Sequence, residues 1–292
     1  MYPAYWLAAT ALIVAALLGV PLGQPAAVAA ATLVFIGGGL PHGAYDIALL
    51  RRSVALGGLG VGLAVCGYAS IALLMALLWL TVPLVALILF LAVAAVHFGE
   101  DWQMLEEPLL RFAAGAAVIA ATAIGHPAEV SELFVAMSDP RATVIAQIIV
   151  AAAPVALLVT AVGIAAAWRN GSRHWALAMA LCFGLLLVLP PVAGFALFFV
   201  FLHSPRHLKQ TRAMLRDMPL GQWLGTGALL SGLAILGWWA VRSMAPSSVA
   251  PILVAEAFQL LASVAVPHLM LSHWLEGRLP AVAFTQEETL IP

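Results

Sequence analysis

Charge is what this chain lacks most. Of its 292 residues only 12 are Lys or Arg and 13 are Asp or Glu, so charged side chains make up 9% of a sequence that is 64% hydrophobic. A water-soluble domain carries about 25% charged residues, and the shortfall excludes a protein whose outer surface faces water. The formal net charge of −1 offers no basic field, which excludes nucleic acid as a partner. Cysteine is nearly absent as well. Cys66 and Cys182 lie far apart inside apolar runs, where a free thiol packs as a small hydrophobe, so a disulfide framework is not expected. No polar block interrupts the chain, and no soluble catalytic domain is hidden in it.

What the chain does have is a succession of apolar runs. A bilayer core of about 30 Å takes about 20 residues of apolar helix. That window places spans near residues 5–22, 26–49, 54–80, 83–99, 110–126, 142–167, 175–189, 191–208, 221–243 and 249–275. The expected fold is all-α, a polytopic membrane bundle of about ten transmembrane helices. Residues 1–276 are expected to form a single transmembrane domain, and residues 277–292 a short polar C-terminal tail. The first run has no Lys or Arg before it, so it reads as a retained helix rather than a cleaved signal. Lys and Arg accumulate in cytoplasmic loops. With the N-terminus inside, the inner loops hold Arg51, Arg52, Arg111, Arg169, Arg173, Lys209, Arg212, Arg216 and Arg278, and the outer loops only Arg141 and Arg242. The expectation is a multi-pass protein of the cell membrane, inner or plasma, with a cytoplasmic N-terminus.

Against this apolar background stand eight histidines: His42, His97, His126, His174, His203, His207, His268 and His273. Ionisable residues inside a membrane are costly and mark a pathway, a relay or a cofactor, although a single one serves equally well as a helix-packing hydrogen bond. His203 and His207, in FLHSPRHL, lie one helical turn apart, about 6 Å between Cβ atoms, close enough to share an ion. Pro205 between them removes a backbone donor and should kink the helix. His42, in GGGLPHGAYDIALLRR, has Asp46 at i+4; His97, in AVHFGEDW, has Glu100 and Asp101 at i+3 and i+4. A metal-bound imidazole commonly donates its other N–H to a carboxylate, so Asp46, and Glu100 or Asp101, are expected to orient the histidine one turn away on the same helix. Under the topology above, His42, His97, His203, His207 and His268 share the cytoplasmic half of the membrane. His126 falls on the opposite side, His174 reads as interfacial, and His273 near the last helix end is left open.

Four neutral imidazoles suit iron, copper or zinc rather than magnesium or calcium. The chain has no HExxH, no cysteine pair and no HxxHH box. Four histidines on octahedral Fe(II) leave two positions open for oxygen and substrate, whereas a tetrahedral zinc would be closed. An open iron site predicts O₂ chemistry on an apolar substrate that arrives sideways from the lipid. Two other classes stay open: a haem or electron-transfer protein with axial histidines, and a transporter with a histidine-lined path. The first is disfavoured by HxxxH on one helix, which cannot clasp both faces of a haem. The second should string its histidines through the membrane.

The segments LPHGAYDIALL, HFGEDW, HPAEV, FLHSPRHL and PHLML follow the order and approximate spacing found in the Brp/Blh family of membrane β-carotene 15,15′-dioxygenases. The chain resembles that family from residue 37 to residue 271. The resemblance implies central cleavage of β-carotene by O₂ into two retinal molecules. It implies a non-haem Fe(II) held by His42, His97, His203 and His207, in the PHGA, HFG and HSxRH motifs. His126 and His268 match the family's HP and PH motifs; their roles are left as structural or as support for the ligands, with His268 the candidate for support. A retinal-binding opsin is the functional partner implied. Pro205 fills the variable position of the paired-histidine motif, and Tyr45-Asp46-Ile47 follow PHGA where a second histidine can occur.

Overall fold

Proline opens many of the helices. Pro25, Pro83, Pro108, Pro127 and Pro191 each stand at the start of one, where the fixed φ suits the first turn and the missing N–H costs no hydrogen bond. The computed structural model describes residues 3–54, 56–244 and 252–276. In chain order the helices are α1 (Pro3–Leu17), α2 (Pro25–Gly39), α3 (Asp46–Ser53), α4 (Gly58–Thr81), α5 (Pro83–Gly99), α6 (Pro108–Gly125) and α7 (Pro127–Met137). They continue with α8 (Ala142–Arg169), α9 (Arg173–Val188), α10 (Pro191–Phe198), α11 (Ser204–Met214), α12 (Leu220–Ser243) and α13 (Leu253–Glu276). Tight 3₁₀ turns at Leu40–Gly43 and Glu100–Trp102, and a wide π turn at Phe199–His203, connect or extend them. No strand occurs among the described residues. The fold is an all-α polytopic membrane bundle.

Each of the ten expected runs carries a helix, but the count of ten spans does not follow. Among the described residues seven helices are long and apolar enough to cross a membrane, with Pro25–Ser53 taken as one broken helix. Helices α1 and α9 are apolar but shorter, and α11 is largely polar, with Arg206, Lys209 and Arg212. Hydropathy also passed over α7, because Glu129, Ser131 and Glu132 dilute its apolar residues. The tail 277–292 lies outside the described residues.

Two features of packing position the site. Helices α5 and α6 approach closely because Gly115 has no side chain; a Cβ there would run into the Ala95 carbonyl and the Gly99 backbone. Small residues are the usual means of bringing membrane helices together, and Ala114, Ala117 and Ala121 are fully buried along the same helix. Helix α13 then packs against α2, α4, α5 and α7, with the Phe258 ring tilted against those of Phe35, Phe90 and Phe195. Outward-facing side chains remain apolar: Leu59 and Leu63 on α4, Val155 and Leu158 on α8, and Leu229 and Leu236 on α12 are all exposed. Lipid is the solvent that fits such a surface.

Candidate metal centre

The site begins where α2 ends. Helix geometry stops at Gly39 and tightens into the Leu40–Gly43 turn, which carries His42 inward. A Cβ on Gly39 would collide with the Phe199 ring, so glycine is what lets this end of α2 lie against the π turn. The π turn itself immediately precedes Ser204-Pro205. Pro205 has no N–H for the carbonyl four residues back, and its ring crowds that carbonyl. The expected kink takes the form of this widened turn, a feature frequent at functional sites. His203 closes the turn fully buried, and His207 follows one turn later on α11. His97 sits in the last turn of α5, and His268 follows Pro267 inside α13.

These elements bring five histidine rings together. Ring centres of His203 lie 4.5 Å from both His97 and His207, and His97 lies 5.1 Å from His207. His268 lies 5.0 Å from His42 and 5.3 Å from His97, and His42 lies 5.9 Å from His97. Two triads have their candidate ligand atoms within 4.8 Å of one another: His42, His97 and His268, and His97, His203 and His207. His97 belongs to both.

Four of the rings have Nδ1 tied down. His42 donates to the Gly39 carbonyl. His97 donates to Glu100 Oε2 at 3.0 Å, His203 to Asp101 Oδ2 at 2.8 Å, and His268 to the Asp46 carboxylate at 2.8 Å. An imidazole that gives its proton from Nδ1 presents a lone pair at Nε2. His97 and His203 therefore turn lone pairs toward each other, with Nε2 atoms 2.9 Å apart. Two nitrogens bound at right angles to one ion at about 2.1 Å would stand about 3 Å apart. The donor set fits a borderline transition metal, and Nε2 of His207 and of His268 are buried without a hydrogen-bond partner.

The carboxylates differ from expectation in their pairing. Glu100 does serve the histidine on its own helix. Asp46 serves His268 rather than His42, because the turn at Leu40–Gly43 and Tyr45 breaks the helix that would have put positions 42 and 46 on one face. Asp101 serves His203, since the chain tightens into a 3₁₀ turn after Gly99. His126 stands apart from the cluster with its Nδ1 2.8 Å from Glu129, and His174 and His273 are exposed. Three participants escaped sequence reasoning. The Gly39 carbonyl has no side-chain signal. Arg206 donates to the Asp101 carbonyl at 2.8 Å and stands 3.6 Å from its carboxylate; its place inside HSPRH was the available clue. The Tyr68 hydroxyl donates to Asp46 Oδ2 at 3.0 Å, from a helix with no motif of its own.

A cavity of about 540 Å³ opens onto His42, His97 and His268, within the range of small-molecule sites. Its walls are mostly apolar, including Ala72, Phe90, Ala234, Trp238, Leu261 and Val264. Comparison with known proteins decides the family, since the model for beta-carotene 15,15′-dioxygenase matches residues 31–276. The chain belongs to the β-carotene 15,15′-dioxygenase family. A β-carotene 15,15′-dioxygenase from uncultured marine bacterium 66A03 is 27% identical over 264 residues, covering 83% of this chain and 91% of that one. No solved structure matches the chain. The five-histidine cluster and the whole lining of the cavity therefore lie within the segment that matches the β-carotene 15,15′-dioxygenase family.

Proposed function

We propose that this chain is a non-haem iron dioxygenase that cleaves β-carotene at its central 15,15′ double bond with O₂ to give two molecules of retinal. The observation that carries this reading is the convergence of His42, His97, His203 and His207, whose ring centres all lie within 6.0 Å of one another, with three of their Nδ1 atoms fixed by Gly39, Glu100 and Asp101, beside an apolar cavity. Those four histidines would hold Fe(II), which when bound supplies the activation of O₂ that a spin-paired hydrocarbon requires. The stoichiometry needs no reductant, because each carbon of the broken double bond takes one oxygen atom.

The residues around the cluster perform three tasks. Glu100 and Asp101 hold the His97 and His203 rings in one tautomer and orientation and raise their basicity, and their negative charge offsets that of a divalent ion. Phe98, 5.1 Å from His203, and Phe199, 5.5 Å from His42, help to keep water from the centre. The cavity wall runs along α12 from Leu230 to Val241, about 16 Å at 1.5 Å per residue. An elongated apolar slot of this kind suits a rod-shaped hydrocarbon that offers no hydrogen bonds, so shape alone must set which double bond meets the histidines.

In the same reading residues 1–276 act as one catalytic unit followed by the tail 277–292. With the apolar α1 counted as a crossing, the N-terminus faces the cytoplasm of the cell membrane, supported by the bias of Lys and Arg. Retinal leaves for an opsin, a link that rests on the resemblance. The gathering of five histidines in one place, apart from His126, supports this over a histidine-lined transporter. Expression in β-carotene-producing cells tests it: retinal should form and the orange colour fade, and His97→Ala and His203→Ala should each restore the colour. Unchanged β-carotene with the wild-type chain would contradict the reading.

A further inference from the structure

The position of His268 goes beyond the four-histidine set. We infer that His268 is a fifth imidazole ligand of the same centre, and that Asp46 and Tyr68 are the positioning residues that aim it. The inference rests on the reading of the cluster as a metal centre.

Three observations carry it. The ring is buried, its Nε2 has no hydrogen-bond partner, and a ligand nitrogen of this ring lies within 4.8 Å of those of His42 and His97. A polar atom left unpaired in an apolar interior is costly unless something occupies the space it faces. The second observation is how the ring is held. Its Nδ1 donates to both oxygens of Asp46, at 2.9 and 2.8 Å, and Tyr68 donates to Oδ2 of the same carboxylate at 3.0 Å. This hydroxyl–carboxylate–imidazole chain spans α4, α3 and α13, and it is the outer support that a metal-bound histidine normally has. The third is direction. His268 lines the cavity with His42 and His97, whereas His203 and His207 do not. His268 therefore belongs to the face of the centre that the substrate meets.

A plain ion pair with Asp46 would account for Nδ1 alone. It would leave Nε2 buried with no hydrogen-bond partner. Ligation uses both nitrogens. It also changes what the centre offers: on a six-coordinate ion, five imidazoles leave one open position where four leave two. One suffices, because a hydrocarbon has no atom with which to coordinate.

The test uses the full chain in detergent, stripped of metal and titrated anaerobically with Co(II), whose visible spectrum reports ligand number. His268→Gly should weaken Co(II) binding at least about tenfold and alter the spectrum, and added imidazole should restore both. A merely structural histidine would not show that rescue. Asp46→Asn should shift the spectrum and weaken binding by about tenfold, Tyr68→Phe should shift it less, and His126→Ala should match wild type. Wild-type affinity and spectrum in His268→Gly would overturn the inference. If that variant does not fold, an unchanged spectrum in Asp46→Asn overturns it instead. Failure of the wild type to bind Co(II), or undiminished binding in His203→Ala, would instead remove the metal centre on which the inference rests.

Discussion

The Nε2 atoms of His97 and His203 face each other at 2.9 Å, although each ring gives its other nitrogen to a different carboxylate, Glu100 and Asp101. Two lone pairs at that distance repel unless a cation lies between them. A proton shared in an N–H···N hydrogen bond or a shared metal ion removes the conflict, and the spacing suits the metal because two nitrogens bound at right angles to one ion stand about 3 Å apart.

Asp101 should matter through His203 rather than through any contact with substrate. Asp101→Asn keeps the volume but removes the charge that fixes the His203 ring. Iron affinity and retinal formation should each fall by about 10–100-fold, with the helical content unchanged by circular dichroism. Asp139→Asn, which loses only an exposed pairing with Arg141, is the matched control and should behave as wild type.

Cavity shape and metal binding should separate. Ala234→Trp places a large ring in the apolar slot without touching a histidine. Turnover of β-carotene should drop on the order of 100-fold, as misplacement of a reacting group by about 1 Å does, while iron content by elemental analysis stays at the wild-type level. Loss of iron in this variant would show that the slot and the centre are not independent.

Gly115 should be among the least replaceable positions of the scaffold. A Cβ there meets backbone of α5 rather than a movable side chain, so Gly115→Val must push α5 and α6 apart. Thermal unfolding should show destabilisation of about 1–3 kcal/mol, and displacement of α5 should weaken the site through His97. Gly232→Val, with open space around it, should unfold at nearly the wild-type temperature.

How far the site was legible depended on whether its signal was local. His203 and His207 could be paired from spacing alone, because four residues make one turn whether or not Pro205 widens the turn before it. A carboxylate for His97 could be narrowed to Glu100 or Asp101 for the same reason. The partners of Asp46 and Asp101 could not be found this way, because a 3₁₀ turn beside each changes the face on which the next residue emerges, and a pattern of i+4 assumes that no such turn intervenes. The closeness of His268 depends on how α13 packs against α3 and α5, with His268 and Asp46 222 positions apart in the chain. The apolar runs located the helices well. Against ten expected spans, seven helices among the described residues are long and apolar enough to cross a membrane, since hydropathy does not show that α1 and α9 are short or that α10 continues into polar α11.

One exposed pair links the chain ends of two elements that carry the site. Arg52, at the end of α3, donates to Asp217 at 2.7 Å, just beyond α11, and this bond holds the Asp217 carboxyl below the usual carboxylate range. A depressed carboxyl stabilises the fold above its unfolded pKa, and the contribution is lost as pH falls through the folded value. Both side chains are solvent-exposed, so the effect is small. Asp217→Asn should unfold at a slightly lower temperature than wild type near neutral pH, and the difference should vanish in acid.

Metal dependence of the purified protein tests the central claim most directly. Chelation should abolish the conversion of β-carotene to retinal, Fe(II) should restore it and Zn(II) should not, and His97→Ala and His203→Ala should neither retain iron nor respond to its addition. Undiminished cleavage by metal-free protein, or by either variant, would contradict the account.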